Sequence, residues 1–272
     1  MSCLRQAIVL VGFCSAACAV PTSDESGGDD GAALRSVQQA GSAEAEIAYH
    51  FLFSQWGEAA MSCPASTPFA LSVGAIGLLN ADINDMYFDA NDGDPVAVYG
   101  NVVNDFSDFL LVGVCSDYTP SALIGAADND GDKVVNCPAN HVVIGGGASC
   151  STSSAKLTRS RPNPDTAGSE PTGWRATCST GRVNAIVNCA NKAGSNNWNG
   201  CKTRKHVVTD DWRAGAACNT GELAVAAGAY CGNGGHIMGV APEADLEETH
   251  AHCSEDVVTS YAVCCPGVFT ED

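Results

Sequence analysis

The segment Ser195-Asn196-Asn197-Trp198-Asn199-Gly200 combines a flat indole ring with amide side chains. Those are the groups needed to stack on a pyranose face and share its hydroxyls. Asn196, Asn197, Trp198 and Asn199 are therefore the candidate ligand-binding residues, with a glycan or surface polymer as partner; the plainer expectation is a tryptophan tucked under a repeat boundary. His250-x-His252 on a strand would project two imidazoles from one face, which is how a sheet offers two metal ligands; a solvated surface pair is the plainer expectation here too. Two acidic runs, Asn91-Asp92-Gly93-Asp94 and Asn129-Asp130-Gly131-Asp132, invite a calcium reading. Counting back from the glycine at EF-hand position six puts Phe88 or Ala126 at position one, so neither fits that loop. They read as Asp-Gly turns, with Asp128, Asp130 and Asp132 left as a looser calcium site and no other cofactor expected. For catalysis the chain offers no G-x-S-x-G, H-E-x-x-H or P-loop, and its one acid and histidine grouping is Asp210-Asp211 near His206. A non-enzyme is expected.

The elements that must hold these residues are announced by cysteine. The chain has 15 cysteines, and a frame of four recurs with the same inner spacings. Cys137-x12-Cys150 and Cys178-x10-Cys189 are matched by Cys218-x12-Cys231 and Cys253-x10-Cys264. A third copy begins at Cys63 and closes at Cys115, with Ile76 and Asn104 at the two inner positions. Loss of both inner cysteines together predicts nested bonds. The outer bonds are Cys63–Cys115, Cys137–Cys189 and Cys218–Cys264; the inner bonds are Cys150–Cys178 and Cys231–Cys253. Cys201 and Cys265 remain and pair by parity. Knuckles of the C-x2-4-C kind are lacking in this frame, which argues against structural zinc.

Six such bonds require an oxidising compartment. Residues 1–19 carry Arg5, an apolar run from Ala7 to Phe13 and small residues before Cys18, and read as a signal peptide. Cleavage before Cys18 would leave that thiol to carry lipid, since Ser15-Ala16-Ala17-Cys18 resembles a lipobox; cleavage after Ala19 would not. Residues 20–45 are rich in Ser, Gly, Ala and acid and read as a flexible acidic tether. An extracellular or bacterial cell-surface location follows, reaching a membrane only through a lipid on Cys18. The repeats are drawn at 46–132, 133–200 and 201–272. Net charge is −18, partitioned as acidic, basic, acidic: from Glu46 to Asp132 the sequence has no Lys or Arg, and from Ala214 to Asp272 again none. A single basic strip in an anionic chain makes nucleic acid an unsuitable partner. It leaves two readings: neighbouring units that merely complement each other, or association of basic with acidic units, including self-association and binding of an anionic polymer.

Short Val-, Ala- and Ile-rich segments punctuated by Gly, Asn, Asp and Pro predict an all-β fold of short antiparallel strands. Helix signals are poor outside Glu44 to Trp56. The small residues Gly145-Gly146-Gly147, echoed by Ala226-Ala227-Gly228 and Ser72-Val73-Gly74, mark places where a backbone or a ring must come close. Three Cys-framed repeats predict pseudo-threefold packing as in a β-prism, with tandem small β-sandwiches as the alternative. Cys137-Pro138, Val142 to Ala148, Gly173-Trp174 and Val183 to Ala190 are similar to C-P-x-G-x-x-V-x-G-G-G repeats of uncharacterised secreted bacterial proteins. Trp56 before Cys63-Pro64 and Trp212 before Cys218 resemble the vitelline membrane outer layer protein family, a resemblance that implies a threefold β-prism and supplies no catalytic residues. Together these features predict a secreted or lipid-anchored, non-catalytic binding module for carbohydrate, or alternatively a structural, adhesive surface protein that self-associates through its charge-partitioned repeats.

Overall fold

The computed structural model describes residues 33–38, 45–55, 57–78, 81–91, 94–103, 108–193, 198–266 and 268–270. The expected signal peptide, Cys18, Trp56, Asn104, Asn196 and Asn197 lie outside the described residues. Strand β1 (Ala33–Gln38) precedes six strands that recur three times in the same order. Unit 1 holds β2 (Ala45–Ser54), β3 (Glu58–Ser62), β4 (Phe69–Gly77), β5 (Ile83–Asn91), β6 (Asp94–Val102) and β7 (Phe109–Ser116). Unit 2 holds β8 (Ala122–Asp128), β9 (Asp132–Asn136), β10 (His141–Cys150), β11 (Leu157–Asn163), β12 (Gly173–Cys178) and β13 (Val183–Asn191). Unit 3 holds β14 (Lys202–Val208), β15 (Arg213–Ala217), β16 (Glu222–Cys231), β17 (Ile237–Pro242), β18 (Glu248–Cys253) and β19 (Val258–Pro266), and β20 (Val268–Thr270) follows. No helix occurs among the described residues.

No sheet belongs to one unit. Sheet A runs β15-β18-β17-β4-β7-β2 and is extended by β1 and β20; sheet B runs β3-β6-β5-β10-β13-β8; sheet C runs β9-β12-β11-β16-β19-β14. Each takes the second, fifth and fourth strands of one unit and the third, sixth and first of the next, and sheet A joins unit 3 back to unit 1. All pairings are antiparallel. Tandem independent sandwiches are thereby excluded, and one buried apolar cluster draws on all three units. Three further corrections concern boundaries. Strand equivalence puts β8 in unit 2, so that unit starts near Ala122 rather than at 133. Within the segment where a helix signal is expected, Ala45–Ser54 forms strand β2 instead, because Ile47 to Ser54 pair along the whole of β7. Ala33–Gln38, placed in the tether, is a strand whose backbone satisfies the Ala45–Tyr49 edge of β2.

The six disulfides join the expected partners: Cys63–Cys115, Cys137–Cys189, Cys150–Cys178, Cys218–Cys264, Cys231–Cys253 and Cys201–Cys265. Each inner bond ties a third strand to a fifth strand, and so ties one sheet to the next. Such a set suits an oxidising, extracellular environment. No helix among the described residues is long and apolar enough to cross a membrane.

Register fixes which residues of the three copies correspond. The third strands all carry a bulge at the same place, between Ala70 and Ser72, Val143 and Gly145, and Ala224 and Ala226. The fourth strands repeat another, between Ile83 and Asp85, Leu157 and Arg159, and Ile237 and Gly239. Unit 1 therefore has one extra residue before its first bulge. Gly77 and Val102, not Ile76 and Asn104, occupy the positions of the inner cysteines.

The same register makes Gly74, Gly147 and Gly228 equivalent. Each lies where the third strand of one unit meets the fourth strand of another, a seam of two residue pairs. A Cβ on any of them would fall closer than 3.0 Å to a backbone carbonyl or Cα across the seam: Val240 and Ala241 for Gly74, Met86 and Tyr87 for Gly147, Ser160 and Arg161 for Gly228. Alanine at Gly147 or Gly228 must force the seam apart and is expected to cost about 1–3 kcal/mol. Gly125→Ala in the same sheet B, whose Cβ would find its nearest neighbour at 3.7 Å, should be neutral within about 0.5 kcal/mol. Urea midpoints of the three variants check this; equal midpoints would show that the seam yields.

Candidate functional site

Trp198 is only 3% exposed, and its ring lies 5.1 Å from that of Tyr118 at 55°. It has no open face for a sugar, so the stacking platform expected there is corrected to a buried contact beneath the boundary of units 2 and 3. Asn199 is exposed on the adjoining turn, without an open ring beside it.

Of the expected metal ligands, Asp128, Asp132 and His250 are likewise committed elsewhere. Asp128 Oδ1 accepts the Asp130 amide at 2.8 Å and Oδ2 lies 3.8 Å from Lys133, which is turn chemistry. Asp132 accepts Arg175 Nε at 3.0 Å and Thr177 Oγ1 at 2.9 Å, and Arg175 first among these holds its carboxyl below the usual range. His250 and His252 do share one face of β18. His250 Nε2 is paired with Glu243, which raises the imidazole pKa and lowers that of the carboxyl. His252 sits edge-on to Trp212 at 5.1 Å, and burial pushes it down to about 4. No cluster of three metal-ligating side chains occurs among the described residues. His206 Nδ1 lies 2.9 Å from the Gly215 carbonyl, while Asp211 accepts the Arg213 amide, so the acid and histidine grouping is not assembled. The acidic run at residues 91–94 falls on residues whose side chains are not described.

The seams carry what sequence reading missed. Cross-strand partners in an antiparallel pair share a face, and three equivalent pairs next to the seams differ sharply: Tyr87 opposite Tyr99 on sheet B, Arg161 opposite Arg175 on sheet C, Ala241 opposite His250 on sheet A. The residue two earlier on each fourth strand is Asp85, Arg159 or Gly239. One scaffold thus presents three chemistries. No known protein family matches this chain, and no curated protein matches it either. Its function has to be read from these faces.

On sheet B the tyrosine rings lie 4.8 Å apart at 36°, both partly exposed. Tyr99 Oη donates to Glu58 Oε2 at 3.0 Å. Asp85 is opposite Asn101, and Asn101 is opposite Glu58, so a row of three polar side chains runs beside the aromatic pair on the same face. Asp85 Oδ1 accepts the Cys150 amide at 2.8 Å across the seam, yet burial raises its pKa to about 6. Buried Asn84 on the other face clamps the same seam by donating Nδ2 to the Thr152 and Ala155 carbonyls at 2.9 and 2.6 Å.

An acid raised from 3.8 to about 6 binds more protons folded than unfolded, so its contribution is fully present below about 3.8 and is lost as pH rises through about 6. Asp85→Asn keeps an acceptor for the Cys150 amide and removes the charge. The variant is expected to be more stable than the parent at pH 7, on the order of 2 kcal/mol after solvent screening is allowed for, with the difference gone at pH 4. Denaturant titration at the two pH values checks the sign. His252 acts oppositely in the parent: held near 4, it lets the unfolded chain take the proton first, so stability falls as pH drops from about 6.5 to about 4.

Proposed function

We propose that this protein is an extracellular, non-catalytic carbohydrate-binding module, a pseudo-threefold β-prism whose sugar platform is Tyr87 and Tyr99 on the open face of sheet B. The prism reading is supported by the cyclic sharing of sheets, the repeated bulges and a main buried cluster that draws on all three units. The observation that carries the binding reading is the side-by-side tyrosine pair flanked by Asp85, Asn101 and Glu58. Two rings offer the apolar faces of adjacent sugar units a surface to stack on, and carboxylates and an amide beside them accept and donate to hydroxyls. Asp85 supports the same reading from energetics. A carboxyl group whose pKa burial raises to about 6, set beside two partly exposed rings, fits a role at the surface.

The test is a panel of neutral polysaccharides presented to the full oxidised chain. Tyr99→Ala is expected to weaken binding about tenfold or more, the ~1.4 kcal/mol of one lost stacking contact, at a stability cost of about 0.5–1.5 kcal/mol for the lost ring pair with Tyr87, which leaves the protein folded. Trp198→Ala serves as the contrast: it should lower stability and leave affinity alone. Absence of binding across the panel, or binding that Tyr99→Ala leaves untouched, would overturn the assignment.

A further inference from the structure

The equivalent face of sheet C holds an arrangement that costs stability. Arg161 and Arg175 are direct cross-strand partners, and Arg159 lies two residues from Arg161 on the same face. Like charges placed opposite each other on a sheet repel. Burial, with the neighbouring guanidinium groups adding to it, depresses the pKa of Arg161. Two carboxylates answer these three cations: Asp165 lies 3.2 Å from Arg161, and Asp132 holds Arg175 and stands 4.0 Å from Arg159. The guanidiniums are nonetheless fixed in place. Arg159 lies over the Tyr230 ring at 4.6 Å and Arg161 over Tyr261 at 5.5 Å. Arg161 has a side chain only 7% exposed, and the Nε groups of both Arg159 and Arg161 are buried without a hydrogen-bond partner. The other two seams have no such residues: Asp85, Tyr87 and Tyr99 stand there on sheet B, and Gly239, Ala241 and His250 on sheet A.

We propose that this face of sheet C is a second binding surface, for the sulfate or carboxylate groups of an acidic polysaccharide. Arg161 on its tyrosine floor sets the local field, and the reachable cations are Arg159, Arg175 and, on β14, exposed Lys205. Strands β12, β11, β16, β19 and β14 lie between and beneath them, so the cationic span from Arg175 to Lys205 is about 19 Å, four strand spacings. One small oxyanion cannot bridge that width, whereas a chain with a charge on every sugar unit can. Planar guanidiniums pre-set by ring stacking suit bidentate contact with an oxyanion and lose little freedom in making it. The chain's overall net charge of −18 opposes anions in general, which confines their capture to this face. The surface is distinct from the tyrosine platform and stands or falls without it.

The experiment compares dextran sulfate, polygalacturonate and neutral dextran as ligands for the full oxidised chain at low and high salt. Binding to at least one charged polymer and none to dextran is expected; the two charged arms separate sulfate from carboxylate recognition. Arg159→Ala should weaken it about tenfold, and Arg159→Lys, which keeps the charge and loses the planar fork, should recover only part. Affinity should fall steeply between 50 mM and 500 mM salt, as screening of exposed charges requires. Tyr99→Ala should leave this binding intact, which separates failure here from failure of the tyrosine platform. Equal affinity of parent and Arg159→Ala for the charged polymers, no binding to either, or a concentration-dependent oligomer dissolved by Arg159→Ala would overturn the proposal, the last by showing that a second copy's acidic unit is the occupant.

Discussion

Trp174→Thr is expected to cost about 3–5 kcal/mol, Gly146→Ala about 1–3 kcal/mol, and the two together clearly less than their sum. The indole of Trp174 is fully buried and donates Nε1–H to Ser160 Oγ at 2.9 Å. It occupies the space a Cβ on Gly146 would need, so a methyl group there collides with the ring itself. The other units solve the same position differently. Register equates Trp174 with Val98 and Thr249, and Gly146 with Val73 and Ala227. A large residue on the fifth strand thus goes with none on the third, and medium with medium. Installing unit 3's combination, Ala with Thr, in unit 2 removes the clash that Ala alone creates, though it leaves Ser160 without its donor. A coupling of about 1–3 kcal/mol in a double-mutant cycle of urea unfolding is the expected reading; strict additivity would mean that the ring moves aside freely.

That trade between copies explains how much of the fold was legible beforehand. The cysteine frame and its nested pairing could be read because Cys137-x12-Cys150 and Cys178-x10-Cys189 recur as Cys218-x12-Cys231 and Cys253-x10-Cys264, although the loop between them shortens the outer span from 52 residues to 46. Strand character could be read from composition. What alignment on cysteines could not give was the residue-by-residue equivalence of unit 1. An added residue before Leu71 is absorbed by loop and bulge without changing the outer bond, and a one-residue slip exchanges the two faces of a strand. Ile76 was thereby matched to a cysteine whose place Gly77 takes. The tyrosine face was hidden for the same reason. Tyr87 and Tyr99 show no motif in sequence; only the alternations Asp85-x-Tyr87 and Tyr99-x-Asn101, once set in register across β5 and β6, place the rings together. Trp198 misled because a lone aromatic among Asn and Gly looks exposed until its partner is known. That partner, Tyr118, lies 80 positions earlier in the linker from unit 1 to unit 2.

Removing the inner bond of unit 2 with Cys150→Ala and Cys178→Ala should lower stability by about 3.5 kcal/mol, the chain-entropy value for a loop of this size. The bond closes 28 residues and joins β10 of sheet B to β12 of sheet C. Unit 1 manages without an equivalent, and the reason is local. Gly77 and Val102 stand in the two cysteine positions, and Ala81 lies so close to the end of β4 that a Cβ on Gly77 would strike its carbonyl. Ala81 is itself held by donating its amide to Leu78 at 3.2 Å, and the Val103 amide donates to Asp82 at 2.9 Å. Backbone hydrogen bonds and the fully buried Ile83 thus close the end that sulfur closes in the other units. The converse experiment follows from the same geometry. Gly77→Cys with Val102→Cys, although it restores the repeat's frame, should gain no stability, because the turn at Ala81 must be displaced before the thiols can meet. Thiol titration and urea midpoints of the two double variants decide the matter. A stabilised Gly77→Cys, Val102→Cys protein would show that unit 1 lost its bond without remodelling this end, whereas a large loss in unit 2 beside no gain in unit 1 would show that the turn replaced it.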